Sequence, residues 1–153
     1  MELFLMRHGE AKDGHDDTNR PLSETGRIHV KNVALSAQMR GINPPEIFHS
    51  SKLRAKETAE LFAKTLQADI VPQEATGLKP NDDIRDWIQE VEKRESPLML
   101  VGHLPYMELF VSMLLTGYPN KRVVDFFPAT LACLQKKPDY SWELTSIIRP
   151  ENQ

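Results

Sequence analysis

The sequence predicts an α/β fold: a three-layer α/β/α sandwich with a mostly parallel central sheet and a C-terminal strand hairpin. Three observations predict it. Leu3-Phe4-Leu5-Met6 and Leu98-Met99-Leu100-Val101 are continuous apolar runs, as expected of parallel strands covered on both faces. Stretches with apolar residues at helical spacing follow such runs, so strands and helices alternate. Beyond Gly117 the helical pattern stops, and two strand-like segments end the chain.

Taken in order, Leu3 to Met6 is the first strand. After a polar loop, Ser23 is placed to cap a helix that runs to about Gly41, with Val30, Val33, Ala34 and Ala37 on one face. Gly41 stops it and Pro44-Pro45 prevents continuation. Glu46 to His49 reads as a short strand. A second helix carries Ala55, Ala59, Phe62 and Leu66 on one side, and Asp69 to Val71 reads as another short strand. A third helix spans about Asp82 to Glu95, with Ile84, Trp87, Ile88 and Val91 at i, i+3, i+4 and i+7. Pro97 opens the strand Leu98 to Val101. Pro105 suits the first turn of a fourth helix, whose apolar face is Met107, Phe110, Val111, Leu114 and Leu115. Thr130 to Gln135 and Trp142 to Ile148, separated by Lys136 to Ser141, form the hairpin. Glu10 to Pro21 and Tyr118 to Pro128 are irregular, and Arg149 to Gln153 is expected to fray. With no internal repeat or linker, residues 1–153 read as a single domain, large enough for one substantial core.

Composition narrows the function classes. The net charge is −3, so neither nucleic acid nor a membrane surface is an expected partner, and any anion site must be built locally. The lone Cys133 excludes an internal disulfide framework and a multi-cysteine zinc site, and fits a reducing compartment. The apolar start is short, is followed at once by Arg7 and lacks a small-residue cleavage site, so no signal peptide is expected. Leu109 to Leu115 is too short to span a bilayer. A cytoplasmic location is the expectation.

In parallel sheets, ligands bind at the carboxyl ends of the strands. Arg7-His8-Gly9-Glu10 follows the first strand, Ser50-Ser51-Lys52-Leu53-Arg54 the second, and Gly102-His103-Leu104-Pro105 the strand ending at Val101. Two histidines and two arginines therefore leave the same edge of the sheet. Each alone has a bland reading as a turn or a solvated helix residue; their convergence points to an anion site.

Arg7-His8-Gly9 after an apolar strand resembles the signature of the histidine phosphatase (phosphoglycerate-mutase-like) superfamily. Ser50 to Thr58 resembles its second motif, where Ser, Arg, Ala and Thr match; Gly102-His103 matches the third. Arg20-Pro21-Leu22-Ser23 with Gly26 matches a further one ahead of the first long helix. The similarity covers nearly the whole chain, and its short length most resembles the SixA-type phosphohistidine phosphatases. Ser51 stands where the family often has proline, and no glutamate after the third strand matches the general acid of larger members.

The resemblance implies that His8 is the nucleophile, forming a phosphohistidine that water then hydrolyses. Arg7 and Arg54 would bind the phosphoryl oxygens through guanidinium forks, Arg20 would be a third contact, and His103 would donate to the same oxygens. Nearby arginines disfavour an imidazolium and so favour an unprotonated nucleophile. No metal or other cofactor is expected, because arginine supplies the positive charge that magnesium supplies elsewhere. Glu10, Glu74, Asp82 and Asp83 are open candidates for a general acid. A phosphohistidine substrate needs a placed acid less than an alkyl ester does, since imidazole leaves well once protonated. About ten residues separate the third strand from the third helix, leaving no room for a lid domain. That favours a phosphorylated protein, such as a histidine phosphotransfer protein, over a buried metabolite. A small phosphate ester and a non-catalytic phosphate-binding module remain the alternatives; a mutase is disfavoured by the short chain.

Other residues have structural readings. His15 and His29 are expected at the surface, and His49 could line the pocket. Cys133 and Trp87 read as core. Asp16-Asp17 and Asp82-Asp83 read as solvated turns. The exposure of Tyr140 and Trp142 is open, and Phe126-Phe127-Pro128 could wall the pocket or pack inside.

Overall fold

The computed structural model describes residues 1–150. Its elements run β1 (Glu2–Arg7), a single 3-10 turn (Asp17–Asn19), α1 (Glu24–Met39), β2 (Ile47–His49), α2 (Leu53–Thr65), β3 (Gln73–Glu74), α3 (Arg85–Lys93), β4 (Leu98–Gly102), α4 (Tyr106–Thr116), β5 (Leu131–Lys136) and β6 (Trp142–Ile148). One six-stranded sheet has the order β3-β2-β4-β1-β5-β6. The first four strands pair in parallel, while β5 runs antiparallel to both β1 and β6. This is the predicted sandwich with its hairpin.

The alternation of side chains along each buried strand feeds two cores. Phe4, Met6, Met99 and Val101 point to the face covered by α1 and α2, where they meet Val30, Val33, Ala59 and Phe62. Leu3, Leu5, Leu98 and Leu100 point to the other face and meet Val91, Tyr106, Phe110 and Val111. Strands apolar at every position are therefore required, and β4 is buried along its whole length. Burying one such side chain contributes about 1.5–3 kcal/mol, so β1 and β4 are rigid mounts for whatever follows them.

Several elements differ from the sequence expectation. The third strand lies at Gln73–Glu74, not Asp69 to Val71. Ile70 and Ala68 pack against the α1/α2 core instead of joining a ladder, and Pro72 has no N–H to give one. Helix α3 begins at Arg85 because the preceding carboxylates compete for backbone amides. Asp82 accepts from the Lys79 amide and Asp83 from the Arg85 amide, both at 2.9 Å. On α3, Ile84 and Val91 are buried, while Trp87 is half-buried and donates to the Thr76 carbonyl. On α4 the buried side is Tyr106, Met107, Phe110 and Val111, with Leu114 and Leu115 half-buried. The chain after β6 does not fray at once: Arg149 lies over the Phe127 ring and donates to the Asp125 carbonyl, and Pro150 is buried. The rest of the expected tail, residues 151–153, lies outside the described residues. Among the described residues, no helix is long and apolar enough to cross a membrane.

Candidate active site

Strand register assembles the site. Arg7 is paired with Gly102 across β1 and β4, and the His8 amide donates to the Gly102 carbonyl at 2.9 Å. The next residue on each strand is a histidine, so His8 and His103 leave neighbouring strands at the same height. Their ring centroids are 5.1 Å apart. On the other side of β4, His49 is paired with Val101, which brings Ser50 level with Gly102 and next to His103.

Close packing behind the site depends on two glycines. A Cβ on Gly26 would stand 2.1 Å from the Glu10 carbonyl oxygen, and one on Gly9 would stand 2.9 Å from a Val30 methyl. Their absence lets the first turn of α1 press against the loop that leaves β1. Ser23 caps α1 by accepting from the Gly26 amide at 3.0 Å, and its own amide donates to the Glu10 carbonyl. The Gly9 amide donates to the Thr58 hydroxyl, which in turn donates to the Arg54 carbonyl. One side chain thus ties the loop after β1 to α2.

The result is a cavity of about 340 Å³ lined by Arg7, His8, Glu10, Arg20, Arg54 and His103. Ala11, Pro80, Leu104 and Pro128 complete its wall. All five predicted site residues meet here. Arg7 is anchored by a 2.8 Å bond from its Nη1 to the Phe126 carbonyl, and its buried Nε has no partner in the protein. Arg54 is 5% exposed. It donates to the Asp17 carbonyl at 2.7 Å and lies 3.3 Å from the Asp17 carboxylate. Arg20 is held mainly by the Lys12 carbonyl, since its 3.7 Å pair with Asp13 involves a fully exposed carboxylate.

The ring nitrogens are differentiated. His8 Nδ1 lies 2.7 Å from the Gly9 carbonyl. A carbonyl only accepts, so Nδ1 carries the proton and Nε2 keeps the lone pair. Burial pushes the His8 pKa down to about 4; Arg7, Arg54 and Arg20 push the same way, against the Gly9 bond. Burial likewise pushes His103 down to about 3, helped by His8, Arg54 and Lys52 and opposed by Asp17. Both imidazoles are neutral at pH 7, while the arginines stay charged even though burial lowers the pKa of Arg7 and of Arg54. The arrangement offers a phosphoryl group one imidazole lone pair and three guanidinium groups.

The candidate acids separate. Glu10 lines the cavity; Glu74, Asp82 and Asp83 line a neighbouring acidic groove of about 640 Å³ with Asp86 and Glu90. Hydrogen bonds from Arg85 hold Asp83 below the usual carboxylate range, which leaves it without a proton to give at neutral pH. Asp17, read as a solvated turn, instead pairs with both Arg54 and Lys52, and its pKa is lowered chiefly by the Lys52 bond. Asp16 bonds Asn19.

Of the other histidines, His15 is exposed and His29 half-buried. His49 is buried away from the cavity, donating to the Ser50 carbonyl. Cys133 is core, and burial raises its pKa. Phe126-Phe127-Pro128 does three things: Phe126 is buried, Phe127 is exposed and Pro128 walls the cavity. Tyr140 is exposed and Trp142 buried. Sequence reasoning assigned no role to Ser50, whose hydroxyl is 2.5 Å from His103 Nε2, or to Glu108, whose charge opposes the fall in the Arg7 pKa. Ser50's place at the start of the second motif was the available signal for it; Glu108 had none.

Comparison with known proteins identifies the family and the fold. The family model for the histidine phosphatase superfamily (branch 1) matches residues 3–79, half of the chain. An uncharacterized protein of Picosynechococcus sp. is 37% identical over 112 residues, 69% of this chain and 67% of its own. Solved structures share the fold, two of them with tungstate bound. The protein histidine phosphatase SixA complexed with tungstate has a TM-score of 0.88, at 22% identity and 99% coverage of both chains. The ecdysone phosphate phosphatase of Bombix mori, also with tungstate, has a TM-score of 0.74 at 17% identity, covering 99% of this chain and 94% of its own. The chain belongs to the histidine phosphatase superfamily, branch 1, and that membership indicates a phosphatase.

Proposed function

We propose that the protein removes phosphoryl groups from histidine side chains of a phosphorylated protein, through a covalent phosphohistidine on His8. One observation carries the reading. His8 keeps its lone pair on Nε2, and it lines one cavity with Arg7, Arg20, Arg54 and His103. A lone pair beside three guanidinium groups suits in-line attack on a tetrahedral anion, because these donors stabilise charge as it builds on the oxygens.

In this reading His8 Nε2 bonds to phosphorus as the substrate's P–N bond breaks, and the departing imidazole takes a proton from solvent water. Water then attacks phospho-His8, releasing phosphate and restoring the lone pair. Arg7, Arg54, Arg20 and His103 hold the equatorial oxygens; losing one such donor typically costs about 10²–10³ in rate. The likeness to SixA and the short connection between β3 and α3 support a protein substrate. A second reading, hydrolysis of a small phosphate ester, is supported by Glu10, the one candidate acid on the cavity wall.

The test is phosphate release from a 32P-labelled phosphohistidine protein and from a panel of alkyl phosphate esters. The proposal expects fast release from the first, loss of that release in His8→Ala, and an acid-labile label trapped on His8. Equal release by wild type and His8→Ala would exclude it. Rapid ester turnover that collapses in Glu10→Gln would establish the second reading.

A further inference from the structure

The hydroxyl of Ser50 is 2.5 Å from His103 Nε2, and both side chains are about 1% exposed. Ser50 does not line the cavity. A buried serine against a histidine suggests a nucleophile and its base, but a hydroxyl outside the cavity cannot reach a phosphorus atom inside it. Its effect must pass through the imidazole.

A neutral imidazole has one N–H, and which nitrogen carries it is set by the partner of the other. His103 has two arrangements open to it. With the proton on Nε2, it would donate to Ser50, and the lone pair on Nδ1 would repel an anion. With the proton on Nδ1, Nε2 accepts from the Ser50 hydroxyl and the remaining nitrogen donates. One contact favours the second arrangement, and one nitrogen is left for a ligand. The Ser50 oxygen already accepts from the Lys52 amide at 3.3 Å, which leaves its own proton to donate. His103 Nδ1 is buried and has no partner in the protein. The Ser50 main chain is held in place. Its amide donates to Val101 and its carbonyl accepts from His49.

We infer that Ser50 is a positioning residue: its hydroxyl donates to His103 Nε2 and so fixes the Nδ1–H form that donates to the phosphoryl group. This rests on the reading of the cavity as a phosphoryl site. The burial that keeps His103 uncharged makes the choice of nitrogen decisive, because an imidazolium would donate from both sides.

The experiment reads the tautomer directly in the free protein, by 15N chemical shifts of the His103 ring nitrogens at pH 7. The expected result is a protonated Nδ1 and an unprotonated Nε2. In Ser50→Ala the proton should redistribute towards Nε2, and kcat/KM for phosphohistidine protein should fall about 10- to 100-fold. Ser50→Thr, which keeps the hydroxyl, should restore both. A wild-type His103 protonated on Nε2 would overturn the inference, as would a folded Ser50→Ala with unchanged kcat/KM. The wild-type spectrum decides even if Ser50→Ala does not fold. It is also independent of His8 labelling, so failure of the tautomer and failure of the phosphatase reading are told apart.

Discussion

Mild acid should destabilise this protein through its two site histidines. An unfolded chain protonates ordinary histidines near pH 6.5, whereas His8 and His103 hold out to about 4 and about 3. Between those limits the unfolded state binds more protons than the folded one, so stability is lost as pH falls and returns as it rises. From pH 7 to pH 5 each ring should subtract about 2 kcal/mol, and the pair about 4 kcal/mol, a large share of a typical domain's 5–15 kcal/mol. The assay is urea unfolding at both pH values, in buffer free of phosphate, for wild type, His8→Asn, His103→Asn and the double variant. Each single substitution should remove about half of the extra loss, and the double variant nearly all of it. If wild type and the double variant lose the same stability between pH 7 and pH 5, the burial argument for neutral imidazoles is wrong.

Gly26→Ala places a methyl 2.1 Å from the Glu10 carbonyl; thermal unfolding should show a loss of at least about 3 kcal/mol, with turnover reduced by the shifted loop. Thr58→Val leaves the buried Gly9 amide without its acceptor and should cost about 1–3 kcal/mol in chemical denaturation, together with a lower kcat as His8 loosens. Arg54→Lys keeps the charge but loses the fork that contacts Asp17 by two atoms, and initial rates should drop about 10²-fold with little change in melting temperature.

Much of this was legible because it is local. Apolar runs without alternation marked β1 and β4, and the histidine after each marked the sheet edge. Ser23 announced the start of α1. Contacts set by register or by loop path were not legible. Ser50 and His103 are 53 residues apart and meet only because β2 and β4 are adjacent. Asp17 reaches Arg54 from a loop whose fold no periodicity reports. The placement of Gln73–Glu74 depends on where β2 offers partners, while Ile70, the apolar residue that suggested a strand, serves the core instead.

The strand that leads to His8 and the strand that leads to His103 enter the chain far apart, yet lie side by side at the centre of the sheet. A fragment ending before Leu98 would hold His8, Arg7, Arg20 and Arg54 but lack the strand that bonds the His8 amide and supplies the second ring. Turnover therefore reports completed assembly: a half-folded or clipped chain has most of the chemistry and none of the frame. Recovery of activity on refolding would time the docking of the central pair of strands.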